Sequence, residues 1–328
     1  PQIRGPPSAD RSNPLPMIPL VYHRAYNFSV FGLERLHPFD GRKYQRIHDA
    51  LIARGLRRRE DFARPCAVSR ADLERVHALD YLRTLQRPSE LARILEIPVA
   101  GRLPGWLLNW RVLHPMRLAA GGTLLAARKA LEVGLAINLG GGFHHAAANG
   151  GGGFCVYADL PIAAKILRDE GRIDRVLVID LDAHQGNGTA AVFHDWPWAA
   201  ILDLYEDDLF PFPKPPEDVP IPVPAGLSGS EYLDLVQRHV PRALETYRPN
   251  LVLYNAGSDP YEGDPLAFFR LSREDLVERD LLVVTLVRER GIPLAMALSG
   301  GYSRDSWRIH ADSIEALSTR FDAVTPSR

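Results

Sequence analysis

Asp180, Asp182 and His184 stand at alternate positions, and on an extended segment that spacing turns all three side chains toward one point. Two carboxylates and an imidazole meeting at a point attract a divalent cation. Three protein ligands with one position left open is the arrangement of a catalytic zinc site, and Asp182, His184 and the distant Asp259 would supply such a set. Because the set is mostly oxygen, Fe2+ could take the place of Zn2+. Read alone, the run is equally compatible with two aspartates capping the next helix and a solvated histidine. His144 and His145 are the second signal. They follow Gly140-Gly141-Gly142-Phe143, where glycines let the backbone turn tightly and approach a ligand, and neighbouring imidazoles can divide the base and acid roles. One could take a proton from an attacking water while the other, or the same one later, protonates a leaving amine. An isolated His-His pair is more often one packed and one exposed side chain, but its place beside a metal site reverses that preference. Tyr302, after Gly300-Gly301, is an ordinary turn residue in isolation. In this company its phenol could donate to the oxyanion formed when water attacks an amide carbonyl, a contribution of about 3–4 kcal/mol.

Side chains from such distant stretches meet only if a scaffold delivers them. Apolar runs of strand length recur at 19–22, 135–139, 175–181, 200–204, 251–254 and 294–298. Stretches of helical period at 41–55, 69–86, 115–133, 158–170, 229–247 and 272–290 alternate with them. This rhythm predicts an α/β fold: a single domain with a mostly parallel, multi-stranded sheet and helices on both faces. Ser69 with Asp72, Ser228 with Glu231 and Ser272 with Asp275 signal helix starts, and Gly134, Gly171 and Gly291 signal helix ends. Pro241 is expected to kink its helix or move the start downstream. The proline-rich stretch 210–226 is expected to be a long surface loop. In open parallel sheets ligands bind beyond the carboxyl ends of the strands. The candidate residues fall there: Gly140 to His145 after one strand, Asp180 to His184 after another, Asn255 to Asp259 after a third and Ser299 to Tyr302 after a fourth.

The 328 residues, 46% of them hydrophobic, can bury a sizeable core. With 39 basic against 40 acidic residues there is no net field to hold the chain on nucleic acid, so no direct nucleic-acid binding is expected. No apolar run is long enough to predict a membrane span. Cys66 and Cys155 cannot make a disulfide framework, and there is no CxxC pair to suggest a structural zinc, which favours a reducing, cytoplasmic setting. Residues 1–16 read as a disordered leader and 17–328 as one catalytic domain.

Taken together and in order, six stretches resemble the class IV branch of the zinc-dependent histone deacetylases, which have the arginase-deacetylase fold. They are Phe31-Gly32-Leu33-Glu34-Arg35-Leu36-His37-Pro38-Phe39-Asp40, Gly151-Gly152-Gly153-Phe154-Cys155, Tyr157-Ala158-Asp159, Ile179-Asp180-Leu181-Asp182-Ala183-His184-Gln185-Gly186-Asn187-Gly188, Tyr254-Asn255-Ala256-Gly257 and Ser299-Gly300-Gly301-Tyr302. The resemblance spans nearly the whole chain, from Val21 to Leu317. It implies hydrolysis of acyl-lysine in a protein or peptide, with Asp182, His184 and Asp259 on the metal, His144 and His145 as the acid/base pair, and Tyr302 polarising the scissile carbonyl. It implies that Asp180 orients His144 and lies close to a structural K+ held largely by backbone carbonyls. Phe143 and Phe154 would wall a narrow tube for the acyl-lysine, with Gly153 and Gly301 beside it. Asn187 stands where many relatives have an aspartate, so His145 should be less readily held as imidazolium; class IV relatives share this asparagine. The subclass implies a preference for long fatty acyl groups over acetyl. Residues 26–36 and 210–224 are expected to shape the entrance, and Cys155 to be a packed thiol.

Other readings share parts of this pattern. An acetylpolyamine amidohydrolase would use the same metal centre behind an acidic, constricted entrance. An arginase-like ureohydrolase would need a second aspartate-rich cluster for a second metal. A non-catalytic module that reads acyl-lysine would be free to lose the histidines or Tyr302.

Overall fold

A computed structural model describes residues 17–27 and 38–322. The leader at 1–16, most of the Phe31-to-Asp40 stretch and nearly all of the entrance segment 26–36 lie outside the described residues.

Eight strands make one sheet: β1 (Leu20–Val21), β2 (Phe62–Ala63), β3 (Leu135–Asn138), β4 (Val176–Asp180), β5 (Ala199–Glu206), β6 (Val219–Val223), β7 (Leu251–Asn255) and β8 (Leu294–Ala297). Their order is β2-β1-β3-β8-β7-β4-β5-β6, and every pairing is parallel. The helices are α1 (Lys43–Ala53), α2 (Arg70–Glu74), α3 (Leu79–Thr84), α4 (Pro88–Ile94), α5 (Gly105–Leu108), α6 (His114–Val133), α7 (Asp159–Asp169), α8 (Asn187–Phe193), α9 (Gly229–Tyr247), α10 (Arg273–Arg288) and α11 (Ser306–Phe321). This is the predicted α/β architecture, a single parallel sheet with helices on both faces. Alternation along each strand feeds two cores. Val176, Val178, Leu251, Leu253 and Ala295 pack with α4, α6, α7 and α8, whereas Leu177, Ile179, Val252, Tyr254 and Met296 pack with α1, α9, α10 and α11. Both faces are covered, so the central strands read as unbroken apolar runs rather than as an alternation of apolar and polar.

The three capping boxes form as predicted, each serine accepting from the backbone N–H three residues on. Gly134, Gly171 and Gly291 all take positive φ where helices end. α9 begins at its capping box and continues past Pro241 to Tyr247, so the start does not move downstream. The carbonyl that Pro241 leaves without a donor belongs to exposed Gln237, where water can satisfy it. Two expectations need correcting. The helix expected over 69–86 is broken into α2 and α3, because buried His77 between them ties the chain to Ala147 and Ala158 instead of continuing the helix. The stretch 210–226 is not all loop: it contains β6, the edge strand beside β5. Pro220 and Pro222 are two apart and exposed while Ile221 and Val223 are buried, so the missing donors fall together on the open edge.

Candidate active site

β3, β8, β7 and β4 are consecutive in the sheet, so the segments leaving their carboxyl ends converge. These are the four segments singled out in the sequence. Asp182, His184 and Asp259 meet with their potential ligand atoms within 4.8 Å of one another, the one such cluster among the described residues. His184 turns Nδ1 toward both carboxylates, 3.0 Å from Asp259 Oδ2 and 3.3 Å from Asp182 Oδ1. The remaining lone pairs are aimed by backbone and hydroxyl donors: Ser299 Oγ and the Gly300 N–H donate to Asp182 Oδ2, and the Ala183 N–H donates to Asp259 Oδ1. Burial, with the Asp182 charge beside it, pushes the Asp259 carboxyl up to about 7. His184 rises to about 10, since the two carboxylates outweigh the burial that opposes its charge. A buried cluster that binds protons this avidly is short of positive charge, which is the requirement a divalent cation fulfils.

His144 and His145 sit beside the cluster with ring centroids 4.1 Å apart, and their partners differ. His144 Nδ1 is 2.9 Å from Asp180 Oδ2, and its Nε2 is 3.7 Å from Asp182 Oδ1. Burial opposes the imidazolium, but these two carboxylates prevail and raise His144 to about 9. His145 Nδ1 is 2.7 Å from Asn187 Oδ1, an amide oxygen carrying no charge. Burial, then repulsion from His144 and His184, holds His145 well below the usual imidazole range. The asparagine therefore fixes a neutral tautomer, with the proton on Nδ1 and a free lone pair on Nε2.

Beside the two histidines lies a cavity walled by Phe143, Gly153, Phe154 and Tyr302, with an apolar part formed by Leu95, Ile97, Pro115, Met116 and Ala119. Phe154 and Ser299 hold the left-handed region at φ 67° and 47°, backbone strain of the kind that collects at functional sites. At Gly153, φ is 48° and an added Cβ would lie 2.3 Å from His145 Cδ2, so only glycine lets the wall close on the imidazole. Gly301, expected in the tube, stands behind the wall: a Cβ there would meet Ser258 Oγ at 2.0 Å. The Tyr302 ring packs edge-on against Phe39, Phe154 and His184, and burial keeps its phenol protonated far into alkali. Phe210, from the proline-rich stretch, lies over His145 at 5.0 Å. Cys155 is buried, donates to Gly153 O and is pushed up by burial, a packed thiol.

Several groups around the site were not read from sequence. Asp159 accepts from the N–H groups of Gly142 and Phe143 and from Thr123 Oγ1, fixing the turn that presents the histidines. Arg279, fully buried and paired with Asp280, donates to the carbonyls of Leu181 and Gly257 next to the ligand segments. Lys43 Nζ donates to Ser299 O and Gly300 O; burial lowers it to about 8 against the pull of Asp259, Asp182 and Asp264. Asp264 accepts from the N–H groups of Tyr302 and Ser303. Asp159 stands in the Tyr157-Ala158-Asp159 stretch, where its role was not read; for Arg279, Lys43 and Asp264 the signal is buried charge, which one sequence does not show.

Comparison with known proteins agrees with this geometry. The histone deacetylase domain profile matches residues 37–317. Histone deacetylase 2 of Arabidopsis thaliana is 40% identical over 308 residues, covering 93% of this chain and 80% of that protein. Acetoin utilization protein AcuC of Bacillus subtilis is 26% identical over 315 residues, covering 88% and 78%. The crystal structure of the HDA15 HD domain shares the fold with a TM-score of 0.73 at 20% identity, over 95% of this chain and 92% of that one. No helix among the described residues is long and apolar enough to cross a membrane. With the profile matching residues 37–317 and a relative 40% identical over 93% of the chain, the protein belongs to the histone deacetylase domain family.

Proposed function

We propose that this protein hydrolyses the amide bond of Nε-acyl-lysine in proteins or peptides, releasing free lysine and a carboxylic acid. The observation that carries the reading is the packing of the buried Asp182-His184-Asp259 cluster against two histidines with unlike partners and a protonated tyrosine, which themselves line one cavity. Asp182, His184 and Asp259 would hold Zn2+, or Fe2+ in its place, and that ion would act as a Lewis acid on the acyl carbonyl and on water. Tyr302 donates its phenolic hydrogen to the carbonyl oxygen as negative charge develops there. His145, neutral on Nε2, takes a proton from the attacking water, while Asn187 holds its Nδ1–H. His144, kept as imidazolium by Asp180, gives a proton to the departing lysine amine. Neighbours with pKa values pushed apart are the usual way for one site to hold both an acid and a base.

Phe143, Phe154 and Gly153 guide the lysine side chain, and Leu95, Ile97, Pro115, Met116 and Ala119 receive the acyl group. A lining that is mostly apolar, with Tyr26 and Tyr44 beside those five residues, suits a fatty chain, which supports the class IV assignment and a preference for long acyl groups. A structural K+ beside Asp180 is supported by Asp203 Oδ1, a buried oxygen with no donor among the described residues. Free Cys66 and Cys155 are in keeping with a reducing, cytoplasmic setting. The site residues belong to one catalytic domain spanning residues 17–328. The test is turnover of a lysine peptide bearing acetyl, octanoyl or myristoyl groups, with metal analysis and chelator. Chelator-sensitive release that improves with chain length is expected. Turnover of acetyl alone would keep the chemistry and overturn the fatty-acyl preference, and preference for acetylated polyamines would overturn the substrate class.

A further inference from the structure

We infer that Asp264 is the positioning residue for Tyr302, a role that rests on the deacylase reading above. The segment from Ser299 to Ser303 contains two glycines, and Gly301 sits at φ 119°, so its own backbone does little to fix where the tyrosine points. Direction comes from groups outside it. Upstream of the tyrosine, Lys43 Nζ holds Ser299 O at 2.5 Å and Gly300 O at 2.9 Å. Downstream, Asp264 Oδ2 accepts from the N–H of Tyr302 at 2.7 Å and of Ser303 at 3.0 Å. A cation on the carbonyls and an anion on the amides grip the peptide dipoles from opposite ends, and Tyr302 lies between them.

Asp264 has little else to do. It is buried, its Oδ1 accepts from the Leu266 N–H at 3.0 Å, and among the described residues no lysine, arginine or histidine makes a salt bridge with it. A buried carboxylate without a counter-ion is costly unless hydrogen bonds compensate, and here those bonds run to the backbone of the tyrosine and its neighbour. The Asp264 N–H in turn donates to Tyr261 O, so the anchor is itself held by the turn that follows the metal-ligand segment of Asp259. The tyrosine and the metal cluster are thereby kept in one register although they leave different strands.

The experiment compares Asp264→Ala and Asp264→Asn in wild-type and Tyr302→Phe backgrounds, using an acyl-lysine peptide. Asp264→Ala is expected to lower kcat by about ten- to a hundredfold with KM nearly unchanged, the loss typical of a misplaced catalytic group. Asp264→Asn, which keeps an acceptor oxygen, should recover part of that loss. Metal content should be the same in all variants. In the Tyr302→Phe background Asp264→Ala should cost no further kcat, because the group it positions is already gone; a full additional loss there, or an unchanged kcat in the single variant, overturns the inference. Amide hydrogen exchange at Tyr302 and Ser303 should accelerate in Asp264→Ala, and unaccelerated exchange overturns the inference by itself. If the metal-loaded wild type turns over no acyl-lysine peptide, the deacylase reading fails, and the exchange result still decides whether Asp264 holds the segment.

Discussion

At the floor of the site, next to the histidines that line the cavity, Asp180, Asp182, His184 and Asp259 are buried and each is tied to its neighbours by hydrogen bonds, whereas Leu95, Ile97, Pro115, Met116 and Ala119 make an apolar wall. The floor is built on the ends of four adjacent strands; the wall comes from the turn after α4, the start of α6 and the chain between them. Fixed dipoles and charges on a rigid sheet suit the bond-breaking step, which tolerates little displacement. An apolar surface on helices outside the sheet can vary in depth and shape without disturbing that step. The division of labour follows: the floor decides the reaction, and the wall decides what is attached to the lysine.

The largest break in that contrast should come from His145→Ala, which removes the base from the floor and should lower kcat by about two to four orders of magnitude at every chain length. Steady-state kinetics on acetyl and myristoyl peptides checks this. Tyr302→Phe should follow, with about 3–4 kcal/mol lost from the transition state and little change in KM.

A third prediction concerns stability. His77 donates from Nδ1 to Ala147 O and accepts at Nε2 from the Ala158 N–H, so the fold needs it neutral, and burial lowers it to about 4. The unfolded chain, near 6.5, then binds more protons than the folded one between these values. Stability is fully present above pH 6.5 and falls as pH drops toward 4, by on the order of 3 kcal/mol. Denaturant melts should show this slope, and His77→Gln should flatten it. Because Ala158 precedes Asp159, which holds the histidine turn, acid should loosen the floor before it disturbs the apolar wall. The smallest effect should come from Asn187→Asp. A carboxylate on His145 Nδ1 raises the basicity of the ring, so the acid limb of the pH–rate profile should move up by about one unit with little change in the plateau.

The same contrast governs what could be read from sequence. Asp180-x-Asp182-x-His184 was legible as carboxylates and an imidazole crowded at one strand end, but not in its geometry: β4 stops at Asp180 and the chain bends over 182–184, so Asp180 meets His144 while Asp182 and His184 join Asp259. The four strand ends were legible because buried parallel strands are unbroken apolar runs. Asp264 and Lys43 were not. They act on the backbone of a segment 38 and 256 residues away, and that backbone carries no sequence signal. β6 was missed because its prolines suggest a loop unless the strand is known to lie on the sheet's edge. The wall was missed because Leu95 and Met116 are ordinary core residues until the cavity shows which of them face an empty space.

The measurement that tests the account most directly is kcat/KM for acetyl, octanoyl and myristoyl lysine peptides in wild type, Tyr302→Phe and Met116→Phe. Tyr302→Phe should lower all three by the same factor, and Met116→Phe should lower octanoyl and myristoyl while leaving acetyl nearly unchanged. A Met116→Phe variant that loses acetyl turnover as severely as myristoyl, or a Tyr302→Phe variant that changes chain-length preference, would contradict the separation of floor from wall.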